Sequence, residues 1–154
     1  MEDPHVCALA WVELTAAHRA VNEMLTAALA SRCGLTFSAF EALLALDRAG
    51  AKGARPRDLN NDVPLSQPAL SRLVARLENQ GLVARAGDSA DGRSVRLALT
   101  KQGRTRLRRA AAIHADLVQT HFTDRLDETE QRILTAALVR IRTACAEPER
   151  RGTA

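Results

Sequence analysis

Ser66, Gln67, Ser71 and Arg72 lie close together in LSQPALSRLVARLENQG, residues 65 to 81, and their shared chemistry is hydrogen bonding to planar, acceptor-rich edges. Wound as a helix, the stretch puts Leu70, Leu73, Val74 and Leu77 on one stripe. The other face then carries Ser71, Arg72, Ala75 and Asn79, with Arg76 at its margin. A Gln amide can pair with adenine and a guanidinium with guanine through two hydrogen bonds each, worth roughly 1 to 3 kcal/mol of discrimination per good contact. Arg76, one turn further along, suits a phosphate.

A second basic probe is expected after this helix. LVARAG and SVRLALT alternate in side-chain direction, with Val95, Leu97 and Leu99 on one side and Ser94, Arg96 and Ala98 on the other, and the polar DSADGR lies between them. That pattern reads as a β-hairpin. Its loop offers Arg93, whose guanidinium fits a narrow, electronegative minor groove better than a hydrated ammonium does. Asp91 is placed to hold Arg93 in shape.

These groups need a frame, and the rest of the chain spells one out. From about Val6 to Ala30, Leu14, Ala17, Val21, Met24, Leu25 and Ala28 recur at steps of three and four, a long amphipathic helix that Gly34 ends. Phe37, Phe40, Leu43, Leu44 and Leu46 continue the helical period after Thr36, up to the break AGAKGARP at 49 to 56. Arg57 to Val63 reads as a helix of at most two turns. Pro64 then interrupts, Ser66 offers an N-cap, Pro68 falls in the first turn where its missing N–H is harmless, and Gly81 supplies the stop. Short helix, turn and longer helix make a helix-turn-helix.

Thr100 can cap a further helix from about Lys101 to Phe122, striped by Leu107, Ala110, Ala111, His114, Leu117 and Val118. Asp127 and Glu130 have capping-box spacing ahead of Ile133, Leu134, Ala137, Leu138 and Ile141, and the tail from Glu147 reads as frayed. The expected fold is mainly α, an α+β winged helix-turn-helix of order α1-α2-α3-α4-β-β-α5-α6. The composition agrees, with hydrophobic residues at 46% and few aromatics: Trp11, Phe37, Phe40 and Phe122.

Charge is localised rather than global. Lys52 to Arg109 holds 13 Lys and Arg against 5 Asp and Glu, an excess of +8, whereas the formal charge of all 154 residues is only +4. The remainder is therefore net −4, and an anionic partner should meet the middle of the chain. The three cysteines, Cys7, Cys33 and Cys145, are far apart and show no CxxC pairing, which argues against a disulfide scaffold and a zinc ribbon and for a reducing compartment. The first residues are acidic rather than basic, and no apolar run approaches the ~18 residues of a membrane span, so a cytoplasmic protein without membrane contact is expected.

An amphipathic helix with Arg outside is ordinarily just a solvated face. Here the short-helix and cap pattern, the exposed polar set, the Arg-tipped hairpin and the localised charge coincide, and together they favour nucleic acid, with double-stranded DNA the partner a helix-turn-helix reads. An enzyme would need a phosphate loop, an HExxH or a Ser/His/Asp arrangement, none of which is visible, so neither catalysis nor a cofactor is expected. A winged helix used as a protein-interaction module would present apolar anchors instead of Ser71, Arg72 and Arg93. A non-specific architectural DNA-binding protein would have no need of base-reading groups such as Gln67 and Arg72.

DGRSVRLALTKQG, residues 91 to 103, resembles the D-x-R-x-x-x-L-x-L-T-x-x-G wing signature of the MarR family of bacterial transcription regulators, with Asp91, Arg93, Leu97, Leu99, Thr100 and Gly103 matching. The preceding LSQPALSRLVARLENQGLVAR resembles that family's recognition helix and first wing strand. The resemblance implies an intertwined homodimer, with 1–35 and 101–154 as the helical dimerisation region. Residues 36–100 would form the DNA-binding lobe, its recognition helix at about 66–80 and its wing at about 83–99. It implies a pseudo-palindromic operator, contacted by Ser66, Gln67, Pro68, Ser71, Arg72, Arg76 and Arg93, and a repressor released by a small aromatic or carboxylate effector or by Cys oxidation.

On the first helix, Trp11, His18 and Arg19 could give such an effector a flat wall, a titrating hydrogen-bond group and an anion partner. Packing and surface roles are commoner for such residues. Oxidation is disfavoured, since a peroxide-sensing member would pair its thiolate with Tyr hydroxyls and this chain has no Tyr. Nothing near Cys7 lowers its pKa, Cys33 sits at the wrong end of a helix for thiolate stabilisation, and Cys145 falls on an apolar stripe and is expected to be buried. His114 and His121, seven apart, lack the closer spacing of helical metal ligands, so no metal is expected.

Overall fold

The computed structural model describes residues 4–87 and 95–146. Five α-helices and one hairpin follow in order: α1 (Pro4–Cys33), α2 (Phe37–Ala49), α3 (Gln67–Asn79), β1 (Val83–Gly87), β2 (Val95–Leu99), α4 (Lys101–His121) and α5 (Glu128–Ala146). They fall into two compact units divided between Ala115 and Asp116.

In the first unit the apolar periods of α2 and α3 bury their stripes, whereas of the expected α1 stripe only Leu25 is buried and Ala17 is exposed. Leu29, Leu35, Leu43, Leu46, Leu59, Leu70, Leu77, Leu82 and Leu97 are almost wholly withdrawn from solvent, and Leu107 and Ala110 of α4 join the same core. Burying a Leu side chain contributes roughly 1.5 to 3 kcal/mol, so these residues dominate the lobe's stability. The core reaches beyond 36–100, since it takes in Leu29 and Cys33 from the end of α1 and the first turns of α4.

Local chemistry places the ends. Gly34, at φ +63°, closes α1 by donating its N–H to the Ala30 carbonyl at 3.0 Å. Thr36 starts α2 with its hydroxyl accepting the Ala39 N–H at 3.2 Å. The short helix expected over Arg57 to Val63 is a four-residue 3-10 turn, Asp58–Asn61. Pro56 and Pro64 bracket too few residues for an α-helical ladder, and Asn60, Asn61 and Asp62 favour turns over helix interiors. The order therefore has one α-helix fewer than α1-α2-α3-α4-β-β-α5-α6, within the same class.

After α3, Leu82 N–H reaches back to the Leu77 carbonyl at 3.0 Å and Gly81 N–H to Glu78 at 2.8 Å, a Schellman closure with Gly81 at φ +66°. The chain then enters β1, which pairs antiparallel with β2 in the register Val83 with Leu99 and Arg85 with Leu97. Ala54 adds a third, single-residue rung by exchanging both hydrogen bonds with Leu97. Leu97 and Leu99 face the core as the alternation requires, while Val95, nearer the hairpin's tip, is exposed. Thr100 caps α4, accepting the Gly103 N–H at 2.9 Å.

In the second unit Asp127 and Glu130 form the expected capping box: Glu130 N–H donates to the Asp127 carboxylate and Asp127 N–H to the Glu130 carboxylate, both at 2.8 Å. Asp127→Ala is expected to cost about 1 kcal/mol. Urea unfolding of the full chain, followed by far-ultraviolet circular dichroism, should show the lower midpoint; an unchanged midpoint would mean that the box does not hold α5. None of the residues of α5 is buried, and Ile133, Leu138, Val139 and Ile141 are exposed. Cys145, expected to be buried on that stripe, is exposed like the rest of α5. No single described helix is long and apolar enough to cross a membrane.

Candidate nucleic-acid interface

The sequence of α3 folds as an amphipathic helix because Leu70, Leu73, Val74 and Leu77 bury one face, which leaves the other no choice but to point outward. On that outer face Ser66, Gln67, Pro68, Ser71, Arg72 and Arg76 are all exposed. Ser66 takes the extended N-cap backbone, φ −64° and ψ 153°, yet its hydroxyl makes no capping hydrogen bond. The helix starts on Pro68 and the backbone instead, through Leu70 N–H to the Ser66 carbonyl at 2.9 Å. The Ser66 hydroxyl is thereby left for a partner.

Arg72 and Arg76 stand one turn apart, and neither forms an ion pair among the described residues. Both edge an open depression of about 510 Å³ floored by Leu65, Ala69 and Leu73, with Thr36 and Ser38 of the α2 start on its far side. Two hydroxyl residues thus join the cationic rim. Sequence reasoning missed them. Their signal was the position just after the Gly34 break, where a helix start must face whatever the neighbouring α3 faces.

The strands are tied to this helix. Glu78 in the last turn of α3 accepts two hydrogen bonds from Arg85 on β1, Nε to Oε1 at 2.6 Å and Nη2 to Oε2 at 3.2 Å. The fork geometry fixes direction as well as distance, and Glu78 raises the Arg85 pKa above its ordinary value. On the neighbouring strand Arg96 donates to the Gly53 carbonyl at 3.2 Å, bracing β2 against the Ala54 rung. Asp91 and Arg93, the expected wing pair, lie outside the described residues.

The other candidates are dispersed. His18 and Arg19 line an open depression of about 650 Å³ on α1 together with Asn22 and Glu23, and Asn22 Nδ2 lies 2.8 Å from His18 Nε2. Trp11 is 66% exposed and does not line it, so the three do not converge on one cavity. His114 is half-buried and stacks on Phe40 with ring centroids 5.2 Å apart, a packing role, while His121 is exposed. Among the described residues no group of three or more His, Cys, Asp or Glu is placed to hold a metal.

Residues 34–94, from just after α1 to just before β2, match the family model described as the MarR family. Over this stretch the chain is similar to the MarR family of transcription regulators. The likeness to solved MarR family structures runs nearly end to end. AbsC of Streptomyces coelicolor is 29% identical with a TM-score of 0.79 over 94% of this chain and 96% of that one. A second Streptomyces coelicolor member, solved in complex with DNA, is 27% identical with a TM-score of 0.83 over 97% and 92%. HTH-type transcriptional regulators of Bacillus cereus and Bacillus anthracis are 28% identical over 92% of each chain.

Proposed function

We infer that this chain is a MarR family protein and a sequence-specific double-stranded DNA-binding transcription regulator, a repressor that a small aromatic or carboxylate effector releases. The observation that carries the reading is α3: one face is buried, and the opposite face offers Ser66, Gln67, Ser71 and Arg72 with no protein partner among the described residues. Laid in a major groove, the amino-terminal half of such a helix presents an amide and a guanidinium to base edges and leaves Arg76 to a phosphate. The DNA-bound Streptomyces relative supports the same use of the fold.

The protein acts as a homodimer. Residues 1–35 and 101–154 form the dimerisation region, whose exposed Leu9, Trp11, Val12, Ile133, Leu138, Val139 and Ile141 would be covered by a second copy. Residues 36–100 form the DNA-binding lobe. A two-fold protein reads a pseudo-palindromic operator with half-sites about 10 base pairs apart. Its place of action is the cytoplasm, on the nucleoid. Trp11, His18 and Arg19 remain the effector candidates on α1, with His18 and Arg19 the pair that shares a depression.

Selection of bound duplexes from random DNA tests the reading. The expected result is an enriched inverted repeat with that spacing; recovery of unenriched sequence would leave only non-specific binding. The wing makes its own prediction. Arg93→Ala should weaken operator binding and reduce the slope of log affinity against log salt by about 1, because one cation near the phosphates is removed. A slope equal to that of the wild type would take Arg93 off the DNA.

A further inference from the structure

KQGRTRLRRA, residues 101 to 110, opens α4 with five cations and no acid, and the next acid along the chain is Asp116. Like charges one turn apart repel, so such a run costs helix stability unless something else uses it. Two of the five are spoken for locally. Arg104 donates to the Leu99 carbonyl at 3.0 Å, and Arg106 to the Cys33 carbonyl at 2.6 Å. Both acceptors are neutral, and none of the five cations forms an ion pair among the described residues.

Lys101, Arg106 and Arg109 share one side of α4, where with Gln102 and Thr105 they line an open depression of about 540 Å³. Its lining contains no carboxylate. Arg106 is held half-buried by its bond to Cys33, which fixes the guanidinium while leaving most of its five N–H donors unused. Gln102 adds a neutral amide, and Thr105 a hydroxyl already turned to the Lys101 carbonyl. The depression also lies away from the DNA-reading groups: Gln102 comes up against Gly81, at the carboxyl end of α3, whereas Ser66, Gln67 and Ser71 occupy the amino end about 20 Å up the helix axis.

We propose that this depression is a binding site for a small multivalent anion bearing a phosphate or two or more carboxylates, held by Lys101, Arg106 and Arg109. Three cations lining one depression, with no ion-pair partner among the described residues, favour such a ligand over a monovalent one, and the anchored guanidinium gives it a directional fork. The occupied site touches the joint between α1, α3 and α4, since Arg106 holds the end of α1 and the neighbouring Thr100 donates to the Gly81 carbonyl at 2.7 Å. Its regulatory sense rests on the reading of the chain as a DNA-binding regulator; the binding site itself does not.

The test titrates the full chain, free of DNA, with citrate, inorganic phosphate and chloride at matched ionic strength, and follows the thermal midpoint. A saturable rise is expected with citrate and phosphate and not with chloride, because a ligand that binds only the folded state stabilises it. Lys101→Gln with Arg109→Gln should abolish the rise while changing operator affinity less than about twofold. A response that matches chloride, or one that persists in the double variant, overturns the site. A tenfold loss of operator affinity in the double variant would also overturn it, by making the strip a DNA contact. Failure of the wild type to prefer an operator would instead count against the regulatory reading, and the DNA-free titration would still be read on its own terms.

Discussion

Arg72→Ala is expected to weaken binding to the selected operator by roughly 10- to 100-fold, corresponding to about 1 to 3 kcal/mol, while weakening binding to random duplex far less. Arg76→Ala should weaken both alike. The reasoning is positional. Arg72 lies beside Ser71 on the face opposite Leu70, Leu73, Val74 and Leu77, in the half of α3 that enters a groove first, whereas Arg76 lies one turn later. Both guanidiniums reach the depression bordered by Thr36 and Ser38, so a phosphate seated there would draw on both side chains. The paired measurement separates the two roles: equal losses on operator and random duplex for Arg72→Ala would assign it to the phosphate and leave Gln67 and the serines to read sequence.

Local chemistry carries the sequence reading a long way. The stripe of α3, the Thr100 and Asp127 caps, the Gly81 stop and the alternation of Leu97 and Leu99 each depend on residues within a few positions of one another, and each appears where its spacing puts it. What escaped the sequence depends on distant partners. Arg106 meets the Cys33 carbonyl across 73 residues, Arg96 meets the Gly53 carbonyl across 43, and the Ala54 rung has no periodic signal because it is a single residue. The expectation for Cys145 failed differently: periodicity says which face of α5 is apolar but not whether this chain alone covers it. The Asp58–Asn61 turn shows the limit of reading a helix where two prolines leave too little room.

Gly103→Ala is expected to be among the most damaging single changes, at about 3 kcal/mol, the upper end of what forcing atoms into a packed site usually costs. Here Gly103 is buried and its Cα faces backbone: an added Cβ would overlap the Leu82 carbonyl oxygen and sit 2.9 Å from the carbonyl carbon. Neither side can yield easily. Leu82 is held by its N–H to Leu77 and by accepting the Thr100 N–H at 3.1 Å, and Gly103 is held by its own N–H to the Thr100 hydroxyl. Differential scanning calorimetry should place the Gly103→Ala midpoint roughly 10 °C below the wild type. Gly50→Ala is the control, because Gly50 also resists a side chain, but only through its backbone, φ +63° and ψ −149°, with open space around it, for a cost of about 1 to 3 kcal/mol. A Gly103→Ala protein as stable as the wild type would mean that α4 does not cross Leu82 this closely. The loss should extend to function below the melting transition, since the same crossing fixes α4 against the end of α3: operator affinity is expected to fall in Gly103→Ala at temperatures where the protein is still folded, and to hold in Gly50→Ala.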